Sequence, residues 1–125
     1  MMKQEIEKLL QNITKILKTK NNFFIVSNRT KNNTFCQEYS LSSKHIKKII
    51  ANLNINDFNK VLNNLNKDYK EEKLYVFAPI IELVNSYGKK EKIQLYLKIN
   101  FIEHLNTIII ISLHKSVHQL KYAFK

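Results

Sequence analysis

Residues 95–116 carry the pattern that most constrains the fold, because apolar and polar side chains alternate along their first half. The stretch reads LYLKINFIEHLNTIIIISLHKS, with Leu95 and Leu97 on the odd positions and Tyr96 and Lys98 on the even ones. Successive side chains of a strand point to opposite faces of a sheet. A run of isoleucines then ends in Ser112 to Lys115. The pattern predicts an antiparallel hairpin with one apolar face and one polar face.

Three other segments have the spacing of amphipathic helices. Apolar residues recur at intervals of three and four over residues 3–20. A second helix is predicted from Lys44 to about Leu53, with Ser42 or Ser43 as its N-cap. A third is predicted to begin at Asp57, capped by Asn56, with Phe58 and later apolar residues on one stripe.

The remaining segments predict strands and turns. Residues 23–27 (FFIVS) have the composition of a short buried strand, and residues 34–40 that of a weaker, extended segment. Residues 74–84 predict a strand interrupted at Pro79, and the turn around Gly88 precedes the hairpin. The tail, residues 116–125, has weak helical spacing. Together these elements predict one α+β domain over residues 1–125, a small antiparallel sheet with helices packed on one face.

The amino-acid composition and the net charge exclude some kinds of site and favour some kinds of partner. A single cysteine, Cys36, excludes an intramolecular disulfide and a cysteine-based zinc site, and we expect it to be an inert thiol. No signal-peptide or transmembrane pattern is visible in the sequence, so we expect a cytoplasmic protein. The formal net charge of +11 would attract a polyanion or an acidic protein. Almost all of that charge is lysine, so biased composition is an equally good explanation.

The hairpin also predicts a cluster of polar side chains. With a turn at Ile102 to Leu105 and no bulge, Tyr96 pairs with Ser112 and Gln94 pairs with His114. Tyr96 and His114 would then be diagonal neighbours, about 7–8 Å apart at Cα, and Lys98 would continue the stripe. The same alternation also describes an ordinary sheet with one solvated face and no site.

Four motifs in order resemble one known family. They are INDFNKVLNNL at 55–65, VFAP at 76–79, QLYLKINF at 94–101 and IIISLHK at 109–115, preceded by the helix-like LSSKHIKKIIANLNINDF. In their order and spacing they resemble the MqsR-type mRNA interferases, toxins of bacterial type II toxin–antitoxin systems with a RelE-like fold. The resemblance covers roughly residues 41–115. It implies metal-independent cleavage of single-stranded mRNA, no cofactor, and neutralisation by a cognate antitoxin.

The resemblance also implies site residues. The lysine of the family's Asp-Phe-x-Lys motif falls on Lys60, its strand tyrosine on Tyr96, and its C-terminal lysine on His114, with Lys115 one step beyond. Two positions depart from the pattern, since Leu74 replaces a glutamine and Ala78 an arginine.

These residues suit the chemistry of RNA cleavage. Because the 2′-hydroxyl of RNA can attack the adjacent phosphate, the protein need supply only a base, an acid and charge stabilisation. We expect His114 to move a proton, Lys60 to stabilise the phosphorane, and Tyr96 to position the phosphate. Gln94, Lys98 and Lys115 are the expected substrate-binding residues, and no metal ligand is expected. The alternatives are a non-catalytic RNA-binding or degenerate toxin module, or a basic protein-interaction component.

Overall fold

A computed structural model describes residues 2–18, 23–25, 29–63, 72–102 and 105–125. The helices are α1 (Met2–Lys18), α2 (Thr30–Glu38) and α3 (Ser43–Ala51), with a 3₁₀ turn at Ile55–Asp57. The strands are β1 (Phe23–Ile25), β2 (Phe58–Asn63), β3 (Lys73–Phe77), β4 (Ile80–Val84), β5 (Lys90–Ile102) and β6 (Thr107–Lys115). Within the described ranges, no helix is long and apolar enough to cross a membrane.

The strands form one mixed sheet in the order β1-β6-β5-β3-β2, and β4 pairs with the first part of β5. Every pairing is antiparallel except that of β1, which runs parallel to β6. The α+β class with helices against the sheet is therefore confirmed, while the sheet is mixed rather than wholly antiparallel. The predicted hairpin is β5 and β6, the longest pairing in the sheet.

The core lies between the helices and one face of the sheet. Leu95, Leu97 and Ile99 of β5 are completely buried, as the alternation predicted. They belong to one cluster with Ile13 of α1 and Ile50 of α3. Ser42 caps α3 by accepting a hydrogen bond from the backbone N–H of His45, which confirms that helix and its N-cap. The apolar stripe of α1 is likewise buried, at Ile6, Leu9, Ile13 and Ile16.

Residues 34–40, predicted as an extended segment, lie mostly in helix α2. That prediction was wrong because the segment contains few apolar residues and therefore shows little periodicity. The buried side chains of Phe35 and Tyr39 are four positions apart, which places them on one helical face with their ring centroids 5.0 Å apart.

The helix predicted from Asp57 is also wrong. Asn54, not Asn56, caps a single 3₁₀ turn that ends at Asp57, and residues 58–63 form strand β2. The strand register shifts between Phe58 and Lys60, and this irregularity changes which face the following residues occupy. Phe58 and Val61 consequently both pack against the core. Apolar residues three positions apart on one face are typical of a helix. Because of the irregularity, this strand has the same spacing, and its sequence therefore predicted a helix.

Other predictions fall partly outside the described residues. The interruption at Pro79 is confirmed between β3 and β4, and Gly88 adopts the positive φ of 79° that the turn after β4 requires. The predicted helical residues 19–20, strand residues 26–27 and most of the polar connection 66–73 lie outside the described ranges. The tail contains no helix and instead packs along the end of the sheet, with Phe124 stacked on Phe58 at 5.6 Å.

Candidate functional site

A β-bulge in β6 determines which side chains share the polar face of the hairpin. Ile99 pairs with Ile110, whereas Lys98 pairs with Ser112, so Ile111 is an extra residue between the two pairs. Before the bulge the even residues of β6 face the core, and after it the odd residues do. Leu113 is therefore buried, and His114 turns to the polar face.

The bulge corrects the predicted register. Tyr96 lies directly opposite His114, and Lys98 opposite Ser112, so neither the predicted Tyr96–Ser112 pair nor the Gln94–His114 pair exists. The error came from assuming a regular hairpin and a turn that ends at Leu105, whereas β6 begins only at Thr107. The prediction that Tyr96 and His114 share one face is nevertheless confirmed.

Asn32 of α2 holds the bulge in place. Its side-chain Nδ2 donates to the carbonyl oxygen of Ile111 at 3.0 Å, and its Oδ1 accepts from the backbone N–H of Leu113 at 2.9 Å. Only 1% of Asn32 is exposed, so these hydrogen bonds satisfy groups that water cannot easily reach. The sequence offered no signal for this role, because Asn32 is one of many asparagines in the chain.

The rings of Tyr96 and His114 stack on one another. Their centroids are 5.3 Å apart and the rings are inclined by 13°. His114 Nδ1 lies 2.8 Å from the carbonyl oxygen of Lys115. A carbonyl oxygen can only accept, so Nδ1 carries the proton of this hydrogen bond. In the neutral imidazole the lone pair is then on Nε2, the nitrogen that can take a proton from a substrate.

The stacked pair lines an open pocket of about 470 Å³. Its walls come from α2, β5, β6 and the C-terminal tail. The lining residues are Arg29, Lys31, Tyr96, Lys98, Ser112, His114, Val117, His118 and Leu120. None of these described lining residues is acidic. Such a pocket attracts an anion, since positive side chains are gathered without a counter-charge in its wall.

Lys98 lies in the most cationic part of this pocket. Its pKa is lowered from the ordinary value of 10.5, first by burial and then by the charges of Arg29 and Lys60. Lys60 of β2 pairs with Val76, which pairs in turn with Lys98, so the two lysines occupy the same face of the sheet. Lys60 is not among the residues that line the pocket, but its charge acts on it.

Gln94 was predicted to bind the substrate, but its side-chain amide contacts the C-terminal tail instead. Its Nε2 donates to the carbonyl oxygen of Leu120 and to the hydroxyl of Tyr122. Its Oε1 accepts from the hydroxyl of Ser116 and the backbone N–H of Leu120. The amide is thus occupied by the tail, and its contribution to the site is to hold the tail beside the pocket.

Lys115, predicted beside His114, lies on the opposite face of the sheet. It pairs with Leu95 of the core face, and its Nζ is 3.6 Å from Glu38 and 3.7 Å from Glu91. A hydrogen bond with Tyr39, followed by the two carboxylates, raises the pKa of Lys115. The structure therefore does not bring Lys115 together with His114, because neighbouring strand residues point to opposite faces.

The structure also locates Leu74, Ala78 and Cys36. Leu74 pairs with Asn100, and Ala78 is completely buried with its carbonyl oxygen accepting from the hydroxyl of Tyr122. Neither supplies a polar side chain to the pocket. Burial raises the pKa of the Cys36 thiol, which agrees with an inert cysteine.

Two comparisons with known proteins find no match for this chain. No protein-family model matches the chain. A search of curated proteins also finds no significant match. The resemblance to MqsR-type interferases therefore stays a prediction.

Proposed function

We propose that the protein is an endoribonuclease that cleaves single-stranded mRNA in the cationic pocket without a metal ion. The observation that carries the proposal is the stacked Tyr96–His114 pair at the wall of a pocket whose other charged residues are all basic. In the biological setting proposed from the motif resemblance, the protein is a cytoplasmic MqsR-type toxin neutralised by a cognate antitoxin.

The positive residues account for substrate binding. Arg29, Lys31 and Lys98 line the pocket, and Lys60 adds its charge from the same face. A phosphodiester entering the pocket replaces the repulsion among these cations with attraction. Arg29 can hold two phosphate oxygens at once through its planar guanidinium. The open shape suits a single strand, whose unstacked bases can reach protein side chains.

His114 and Tyr96 account for the chemistry. The Nδ1 hydrogen bond to the Lys115 carbonyl leaves Nε2 of a neutral His114 able to accept the proton of a 2′-hydroxyl. The resulting oxygen nucleophile attacks the adjacent phosphorus, so the nucleophile belongs to the RNA and needs no metal to generate it. The hydroxyl of Tyr96 can donate to a phosphate oxygen while its ring holds the imidazole in orientation. Lys98 stabilises the charge that develops on the phosphorane.

The decisive experiment mixes purified protein with a long mRNA at low salt in the presence of EDTA. Discrete cleavage fragments support the proposed enzyme. Retarded but intact RNA would replace it with the second candidate, a non-catalytic RNA-binding module. The apolar Leu74 and the buried Ala78 favour that candidate, since each removes a polar side chain implied by the family resemblance. No retention of RNA would leave only a basic protein that binds an acidic partner.

The variant His114→Ala tests the role of the imidazole. We expect cleavage to slow by about 100-fold or more, within the range that general acid–base catalysis contributes. RNA retention and the circular dichroism spectrum should stay unchanged, because His114 is at the surface of the pocket. Lys92→Ala, which removes an exposed lysine of β5 outside the pocket, is the matched control and should cleave normally. Full activity of His114→Ala would contradict the assignment.

A further inference from the structure

The C-terminal tail brings a second histidine to the pocket. His118 lines the same pocket as His114, although it belongs to no helix or strand. No motif in the sequence singled out His118, which lies in a tail with only weak helical spacing. Its location raises the question of whether it takes part in the reaction proposed above.

Gln94 determines where His118 lies. The Oε1 of Gln94 accepts from Ser116 on one side of the segment 117–119, and the backbone N–H of Leu120 donates to the same oxygen on the other side. Nε2 of Gln94 donates to the carbonyl oxygen of Leu120 at 3.0 Å, and the backbone N–H of Ser116 donates to the Gln94 carbonyl oxygen at 3.0 Å. One residue of β5 thus closes a three-residue loop with His118 at its centre.

Other contacts fix the tail beyond this loop. The hydroxyl of Tyr122 donates to the carbonyl oxygen of Ala78 at 2.6 Å, and the backbone N–H of Ala123 donates to the carbonyl oxygen of Phe58 at 3.0 Å. Phe124 then packs against the core. The loop that carries His118 is therefore attached at both ends, and a catalytic side chain requires such a fixed position.

The chemistry needs what a second histidine provides. When the 2′-oxygen forms its bond to phosphorus, the bond from phosphorus to the 5′-oxygen breaks, and that oxygen leaves as an alkoxide unless it receives a proton. A base and an acid must act on opposite sides of the phosphorus, so one neutral imidazole cannot do both in the same step.

We propose that His118 is the general acid of this reaction and that Gln94 is the residue that positions it. His114 takes the proton of the 2′-hydroxyl, and the protonated His118 gives a proton to the leaving 5′-oxygen. The products are an RNA fragment ending in a 2′,3′-cyclic phosphate and a fragment beginning with a 5′-hydroxyl. Water or buffer then returns the two imidazoles to their starting protonation states. The proposal rests on the proposed endoribonuclease function.

The test uses the full chain and two matched RNA oligonucleotides that contain a cleavage site mapped on a long mRNA. In one oligonucleotide the 5′-oxygen of the scissile phosphate is replaced by sulfur. A thiolate leaves readily without a proton, so cleavage of this oligonucleotide does not need a general acid. His118→Ala should cleave the oxygen substrate about 100-fold or more slowly than the wild type but cleave the sulfur substrate within about tenfold of it. His114→Ala should be slow on both.

Two further variants separate catalysis from folding. Gln119→Ala changes the exposed neighbour of His118 in the same loop and should cleave both substrates like the wild type. Gln94→Leu should reproduce the His118→Ala pattern, including recovery on the sulfur substrate, because it releases the loop. If Gln94→Leu fails to fold, His118→Asn provides the second measurement without disturbing the loop.

Each outcome decides the question. Equal cleavage of the oxygen substrate by His118→Ala and the wild type would overturn the role of His118 while leaving the endoribonuclease intact. Slow cleavage of both substrates by His118→Ala would also overturn it, since a general acid is not needed for the sulfur substrate. A wild-type protein that cleaves neither substrate nor the long mRNA would overturn the proposed function itself.

Discussion

Asn32 is a polar side chain in the interior, and its position explains the face on which His114 lies. The side-chain amide imitates a neighbouring strand by pairing with the backbone on either side of Ser112. Without these hydrogen bonds a regular hairpin would be the simpler arrangement for β6. A regular pairing would turn the residues after Ile110 to the other face, so that His114 would point towards the core.

We expect Asn32→Leu to lower the free energy of unfolding by about 2–4 kcal/mol, because it removes the partners of a partly buried carbonyl and a buried N–H. Urea denaturation measures the loss. Gln37→Leu, an exposed substitution in the same helix, should change stability by less than about 0.5 kcal/mol. A loss at position 32 no larger than that of the control would show that the bulge is held by other contacts.

The positive charge of Lys98 has opposite effects on phosphate binding and on the stability of the fold. Because its pKa is lowered, the folded protein binds the Lys98 proton less tightly than the unfolded chain does. The charged form therefore costs stability at neutral pH, and this cost declines as pH rises through the folded pKa towards the ordinary value. The same positive charge favours a bound phosphate.

Lys98→Met should therefore raise the free energy of unfolding, by no more than about 0.5 kcal/mol because solvent screens much of the repulsion at this partly exposed site. It should also weaken RNA binding and reduce the salt dependence of binding by about 0.7 in log–log slope, the share of one phosphate contact on a single strand. Lys8→Met, an exposed lysine on helix α1 at the other face of the sheet, should change neither quantity appreciably. Lower stability of Lys98→Met would mean that its apolar contacts outweigh the repulsion.

A cluster of polar side chains attaches helix α2 to the β4–β5 hairpin. Tyr39 at the C-terminal end of α2 donates to Glu91 at 3.2 Å, and Asn85 of the turn donates to the same carboxylate oxygen at 2.8 Å. Lys115 lies between Glu38 and Glu91. The hydrogen bond from Asn85, followed by those from Tyr39 and Lys115, lowers the pKa of Glu91 below its ordinary 4.5.

A lowered carboxyl pKa stabilises the fold above the ordinary value, and the benefit is lost as pH falls through the folded pKa. We expect the wild type to lose more stability between pH 6 and about pH 3 than Glu91→Gln does. Thermal unfolding at a series of pH values measures the difference. Glu82→Gln, an exposed residue of β4, is the control and should follow the wild-type curve. Parallel curves for Glu91→Gln and the wild type would contradict this account of the cluster.

The fold concentrates part of the net charge of +11 on one face of the protein. Arg29 and Lys31 lie at the start of α2, Lys98 lies in β5 and Lys60 in β2, and their charges converge on the polar face of the hairpin. The other lysines that the structure describes are distributed over several helices and strands and contribute a general attraction to polyanions.

Binding of a labelled single-stranded RNA to His114→Ala, which should not cleave it, measures this concentration of charge. Four phosphate contacts at about 0.7 each predict a slope near −3 in a plot of log binding constant against log salt concentration. Affinity should thus fall about 50-fold between 50 and 200 mM salt. A slope close to zero would contradict binding by phosphate contacts.

Much of the fold could be predicted from the sequence. The alternation in β5 correctly assigned its core face, and the Ser42 cap and apolar spacing located α3. These signals are local, because a strand or helix must place its apolar residues on one side wherever it packs. They also placed Tyr96 and His114 on one face, although the register between them was wrong.

The tertiary structure alone decided the rest of the site. Asn32 fixes the bulge from 79 positions away, Gln94 holds the loop of His118 across 26, and the bulge places His114 directly opposite Tyr96. A bulge changes which face of the sheet the later residues of a strand occupy, but it does not change the residue types. The alternation of apolar and polar residues therefore cannot reveal it. The apolar faces of this protein follow from the order of its residues, whereas the pocket follows from hydrogen bonds between segments that meet only after folding.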